Sequence, residues 1–406
     1  MNTINPKNQK TMSHFELTNH QRLHLGLRPV ATHWDRIVFP KGLVCFFEQD
    51  TIRKAIISVQ DLTELYTEID LDIQTATRTQ ILSKTGKGKA KTITANTIFD
   101  YSPRVACLRV TISTLENEKP FTIYSTIGKR ELDFTHNAPG LQESMTLEAF
   151  GMALDRFIAT LPESHLPTVA LLQNLPDIKT KPVRFKSGDF FAVPVRYDLY
   201  GNPVHYTFGR HLLNIAALRK QKGLLPQLHQ WNSLMTIVQL VTLYDSDSGT
   251  LDPDLFALSQ TRTIPAFHMM DNRLMRGEYP IIGHLPLAPE ALNFPMHLFA
   301  RKGTVNFGWG ICYIENINFQ PQSPPAPTLE NNGVNSAAEI RVLEKLRAGA
   351  SVYDEYWDLQ HPENTELMAG VFAAMGVSPT ITYDDFCHAF GYPDRKALLE
   401  MTKHLN

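Results

Sequence analysis

Fifteen histidines and four cysteines are the raw material for nucleophilic, general-base or metal chemistry in this 406-residue chain. A working site needs such groups in patterns that let them converge. No G-x-S-x-G, H-E-x-x-H, H-x-E with P-C-x-x-C, or G-x-G-x-x-G occurs. Cys45, Cys107, Cys312 and Cys387 are scattered without a C-x-x-C pair. They read as buried thiols of a reducing cytoplasm rather than as a disulfide or zinc framework. His205 and His211 lie on one strand pattern and read as structural groups. Asp245-Ser246-Asp247-Ser248-Gly249 echoes a calcium loop but lacks its far glutamate, and reads as an acidic turn. The dense basic run Ser83–Thr92 offers Lys84, Lys87, Lys89 and Lys91 as possible anion contacts. It lacks the P-loop order, so the plainer reading is a solvated loop. The expectation is no metal, no cofactor and no catalytic set, with an enzyme of dispersed active-site residues as an alternative.

The elements best able to position side chains lie between Lys181 and Phe299. Phe190 to Val195 is a buried strand pattern after the Gly188-Asp189 turn, and Tyr200-Gly201-Asn202-Pro203 is a turn on local chemistry. Val204 to Leu212 returns, making Gly188–Leu212 a hairpin with one interior arginine, Arg210. The expected partner of that cation is Asp189 or Glu278, in a buried ion pair that fixes register.

The segments GDFFAVPV and HYTFGRHL resemble the opening signature of the bacterial immunity protein 26 family, which accompanies polymorphic toxins. Gly277 to His284 is similar to the second signature, with Tyr279 where tryptophan is expected. The resemblance implies that the chain binds a cognate protein toxin and occludes it without turnover. The residues nominated for that contact are Tyr197, Tyr200, Tyr206, Arg210 and Tyr279, because buried aromatics and arginines dominate interface energetics. A non-catalytic adaptor or a peptide or nucleic-acid reader is the other alternative.

The chain is long for one core, and two or three domains are expected. The overall class is α+β: an N-terminal α+β domain, a central β-rich barrel-like domain and a small C-terminal helical domain. Residues 1–29 read as a flexible arm, 30–165 as the α+β domain, 181–317 as the immunity-like domain, 318–335 as a proline-rich linker and 336–406 as the helical domain. Within 30–165, strands are expected at Leu43–Phe47, Ala106–Ile112, Phe121–Ser125 and Glu131–Phe134. Leu62, Leu65, Tyr66 and Ile69 after Ser58 suggest a helix into the low seventies. Thr146 to Leu161 is a second helical pattern. Later strands are expected at Thr263–Met270, Glu278–Gly283 and Gly303–Ile314, the last with a bulge at Gly308-Trp309-Gly310. The last two helical patterns have a helix-turn-helix look without a basic recognition helix, which points to simple packing. A formal net charge of −2 gives no electrostatic push toward nucleic acid, and no apolar run reaches the length of a membrane span. With no signal-peptide pattern at the start, the cytoplasm is the expected location.

Overall fold

A computed structural model describes residues 15–59, 65–83, 88–101, 109–113, 124–127, 130–133, 146–173, 182–227, 229–234, 237–301, 304–319, 337–352 and 359–403. The chain divides into two compact units, residues 1–179 with 197–202, and residues 180–196 with 203–406.

The first unit contains α1 (Asn19–His24), β1 (Asp35–Phe39), β2 (Leu43–Glu48), β3 (Thr51–Val59), β4 (Leu65–Ala76), β5 (Gln80–Ile81), β6 (Lys91–Thr92), α2 (Ala95–Tyr101), β7 (Arg109–Ser113), β8 (Tyr124–Ile127), β9 (Arg130–Asp133), α3 (Leu147–Ile158) and α4 (His165–Gln173). Strands β1 to β6 follow one another in sheet order and β7 pairs with β4, in a sheet that curls into a half-barrel. The stretch read as an arm is tied down in its described part. Thr18 and Gln21 form a reciprocal capping box on α1, and Leu17, Leu25 and Leu27 are buried with Phe150 and Leu154 of α3. The helical pattern from Thr146 forms α3, with the Thr146 side chain accepting the Ala149 amide as its cap.

The helix expected after Ser58 is instead the end of β3 and the long strand β4. Leu62, Leu65, Tyr66 and Ile69 fit a helical period, yet Ile69, Leu71 and Ile73 also alternate, and that period wins because both faces of the sheet are covered. One face carries Ile69, Leu71 and Ile73 against Phe47, Ile52 and Ile98. The other carries Tyr66, Glu68 and Asp70, whose charges are met inside the fold. Lys54 of β3 is fully buried and reaches Glu68 at 2.6 Å and Asp70 at 2.5 Å. Arg22 of α1 adds an Nε to Glu68 contact at 2.8 Å, and the Tyr66 hydroxyl donates to the same carboxylate. Burial pushes the Glu68 carboxyl up, but the Lys54 and Arg22 cations outweigh it and hold it below the usual range. At Asp70 burial wins over Lys54 and the carboxyl stays above its usual range.

The second unit contains β10 (Asp189–Tyr197), β11 (Pro203–Asn214), α5 (Ile215–Leu218), β12 (Val238–Ser248), α6 (Leu255–Ser259), β13 (Phe267–Met270), α7 (Asn272–Met275), β14 (Ile281–His284), β15 (Met296–Arg301), β16 (Thr304–Trp309), β17 (Cys312–Ile317), α8 (Ala337–Arg347), α9 (Thr365–Met375), α10 (Tyr383–Ala389) and α11 (Arg395–Thr402). Its larger sheet runs β13-β12-β11-β10-β14 and its smaller one β15-β16-β17. The bulge expected at residues 308–310 lies instead between Val305 and Phe307, and Gly310 turns the chain from β16 to β17 at φ +58°. A Cβ there would sit 2.5 Å from the Phe294 ring and 2.8 Å from the Tyr383 hydroxyl. The acidic stretch read as a turn at 245–249 continues β12 as far as Ser248.

The C-terminal helices share the core of these strands. Phe372, Tyr383, Phe386, Cys387 and Leu398 are buried with Trp231, Phe294, Phe307 and Trp309. The helix-turn-helix look of α10 and α11 therefore comes from packing, with Asp394 capping α11 through the Ala397 amide at 2.7 Å. Residues 320–336, most of the expected linker, and 353–358 of the expected helical domain lie outside the described residues.

Two predictions follow from these buried polar groups. Lys54→Ala leaves two buried carboxylates without their shared cation, and denaturant titration should show a loss of about 3–5 kcal/mol; an unchanged midpoint would mean that the carboxyls are already neutral. In the second unit His229 accepts the Trp231 amide on Nδ1 at 3.0 Å, while its Nε2 donates to the Ile311 carbonyl at 3.0 Å. Only the neutral ring fits, because a second proton would point at an N–H. Burial accordingly pulls its pKa from 6.5 down to about 4. A lowered folded value means that this stability is present above pH 6.5 and is lost as pH falls toward 4, by about 3 kcal/mol. Urea titrations across that window should show the loss, and His229→Gln should remove its part of the slope.

Candidate functional site

Gly188 begins the arrangement that joins the two signature segments. Its φ is +93°, and a Cβ would stand 2.4 Å from the Leu285 carbonyl oxygen. Its own N–H donates to His211 of β11 at 2.9 Å, and its carbonyl accepts the Leu285 N–H at 3.2 Å. Glycine is required because the backbone enters a left-handed conformation between two strands that leave no room for a side chain.

Asp189 follows, buried at the start of β10 and paired in register with His284 at the end of β14. One carboxylate oxygen accepts the Lys186 amide at 2.8 Å; the other meets His284 Nδ1 at 2.8 Å. Arg210, expected to pair with Asp189 or Glu278, does neither. Its Nη2 donates to the carbonyls of Leu285 at 2.6 Å and Pro286 at 3.0 Å. Its guanidinium lies 4.6 Å over the Phe190 ring, which stacks on Tyr244. Glu278 meets Arg273 at 3.1 Å and Arg276 at 3.7 Å instead. The physical reason lies in the donor: a buried guanidinium must place its N–H groups on acceptors, and the two carbonyls past the end of β14 lie within its reach. Gly209, between Phe208 and Arg210, lets the Phe191 ring approach within 2.4 Å of where a Cβ would be.

The five nominated side chains separate by burial. Tyr206 donates to the Pro203 carbonyl at 3.3 Å and is buried with Phe190 and Phe208. Tyr279 is buried and stacked on Phe191, with Arg273 over its ring. Arg210 is only 4% exposed. Tyr197 and Tyr200 are half-buried, and Tyr200 meets His165 Nδ1 through its hydroxyl at 3.2 Å. Burial pushes the Tyr200 phenol upward. Lys89 and Lys91 are exposed, while Lys84 and Lys87 lie outside the described residues. His284 is the participant that residue-by-residue reading misses, although its place at the end of the second signature marks it. Among the described residues no group of three or more His, Cys, Asp or Glu side chains is placed to hold a metal ion, and no helix is long and apolar enough to cross a membrane.

Gly188, Asp189, His284 and the guanidinium of Arg210 thus meet at the β14 edge of one sheet. Residues 186–309 match the Immunity protein 26 family. The matched stretch carries β10 to β16, and the immunity-family signatures within it are residues that build the sheet. No curated protein and no solved structure matches the chain.

Because Arg210 is held by backbone carbonyls, its replacement should register in stability. Arg210→Ala removes the hydrogen bonds to the Leu285 and Pro286 carbonyls and the guanidinium packed over Phe190, and is expected to cost about 1–3 kcal/mol. A thermal melt that matches the unsubstituted protein would contradict the assignment.

Proposed function

We propose that this chain is a bacterial immunity protein, which binds a cognate polymorphic toxin in the cytoplasm of the producing cell and occludes it without turnover. The observation that carries the reading is the Immunity protein 26 match over residues 186–309. The geometry fits that role. The signature residues make turns and satisfy carbonyls, so they hold a scaffold, and recognition belongs to exposed surface rather than to a reacting centre. Asp189 and His284 form a hydrogen-bonded pair, and among the described residues no serine, threonine or cysteine side chain completes it into a nucleophilic set. Tyr197 and Tyr200, the nominated tyrosines with exposed area, remain proposed contacts; Tyr206, Arg210 and Tyr279 are proposed to act only by supporting the sheet.

Inhibition by occlusion needs one inhibitor for each toxin. The toxin encoded beside this gene, titrated with the purified chain, should lose activity linearly and reach zero near one equivalent. Substoichiometric clearing would make the chain an enzyme acting on the toxin. Full toxin activity at excess would remove the immunity reading.

A further inference from the structure

The end of β12 and the segment that follows it form a surface of unusual make-up. Residues 245–260 contain four aspartates and no lysine or arginine. Asp245, Asp247, Asp252 and Asp254 are all exposed. Among them stand three apolar side chains that water reaches: Phe256, 70% exposed, Val204 and Leu251. The carbonyl of Val204 lies 3.7 Å from where a Cβ of Gly249 would be, which puts the start of β11 beside this loop.

The ledge is held firmly. Asp254 caps α6 by accepting the Phe256 amide at 2.9 Å and the Ala257 amide at 3.1 Å. Leu258 is buried with Phe190, Tyr206, Phe208 and Tyr244, and Leu255 packs against the same cluster. Leu255 also lies over Gly283 of the second signature, its Cδ1 2.3 Å from where a Cβ would be. The inward turn of Leu255 and Leu258 forces Phe256 onto the opposite side of a one-turn helix. An exposed phenylalanine on an anchored element loses little conformational freedom on binding, the property expected of an interface anchor.

Charge selects the occupant. Arg262 pairs with Asp245 at 3.0 Å and His205 with Asp247, while Asp252 and Asp254 have no basic partner among the described residues. A second copy of this face would oppose like charges, and nucleic acid carries the same sign. A basic protein surface with an apolar recess is complementary. We infer that residues 245–256 with Val204 form the face that binds a basic protein partner, with Phe256 as the anchor and the aspartates as the steering rim.

This assignment rests on the immunity reading, and the partner is then a basic face of the toxin. The test uses the full chain and the toxin encoded beside its gene, with Phe256→Ala, Asp252→Lys and, as a control of equal exposure, Leu171→Ala. Phe256→Ala should weaken binding by about thirtyfold or more with an unchanged melting temperature. Asp252→Lys should slow association, most strongly at low salt. Leu171→Ala should bind as the unsubstituted chain does. Tight binding of the unsubstituted chain with equal affinity for Phe256→Ala and Asp252→Lys would overturn the ledge and leave the immunity reading standing. No binding by the unsubstituted chain would overturn both.

Discussion

The guanidinium of Arg210 holds the second unit's signature region together. Strand β14 is only four residues long, and past its end the carbonyls of Leu285 and Pro286 have no strand to pair with. A buried guanidinium without acceptors costs the desolvation of its charge, and these two carbonyls past the half-exposed end of β14 supply them. The same guanidinium covers Phe190, which stacks on Tyr244, so the polar and apolar parts of the site are one packed object. Asp189 and His284 close the same end of the β10 and β14 pairing, next to Leu285.

The first unit meets a related problem in a different place. Glu68 and Asp70 stand on a buried face of β4, and the sheet is tenable only because Lys54 and Arg22 reach them. Isolated buried charges would neutralise or unfold the strand, whereas two cations and two carboxylates in contact leave the cluster neutral as a whole.

These arrangements divide labour within the second unit. Tyr206, Arg210 and Tyr279 are buried in building the sheet, and Phe256, which no motif marks, is left facing water. Phe256 is exposed because Leu255 and Leu258 are not. A short helix offers few faces, and the one that fits over Gly283 decides what the other presents.

Several parts of this were legible in the residues alone. The hairpin around Gly201, the helical pattern after Thr146 and the immunity-family signatures are local patterns, set by φ preferences, apolar spacing and alternation along a strand. Only the tertiary structure decided the rest. It made β4 a strand, because a helical spacing and an alternating one coexist there and long-range partners for Glu68 and Asp70 break the tie. It gave Asp189 to His284 and Arg210 to two carbonyls, since a buried charge takes whichever complementary group the fold brings within about 3 Å, and sequence distance carries no information about that. It also turned Phe256 outward, because which side of an element meets water depends on what packs against the other side.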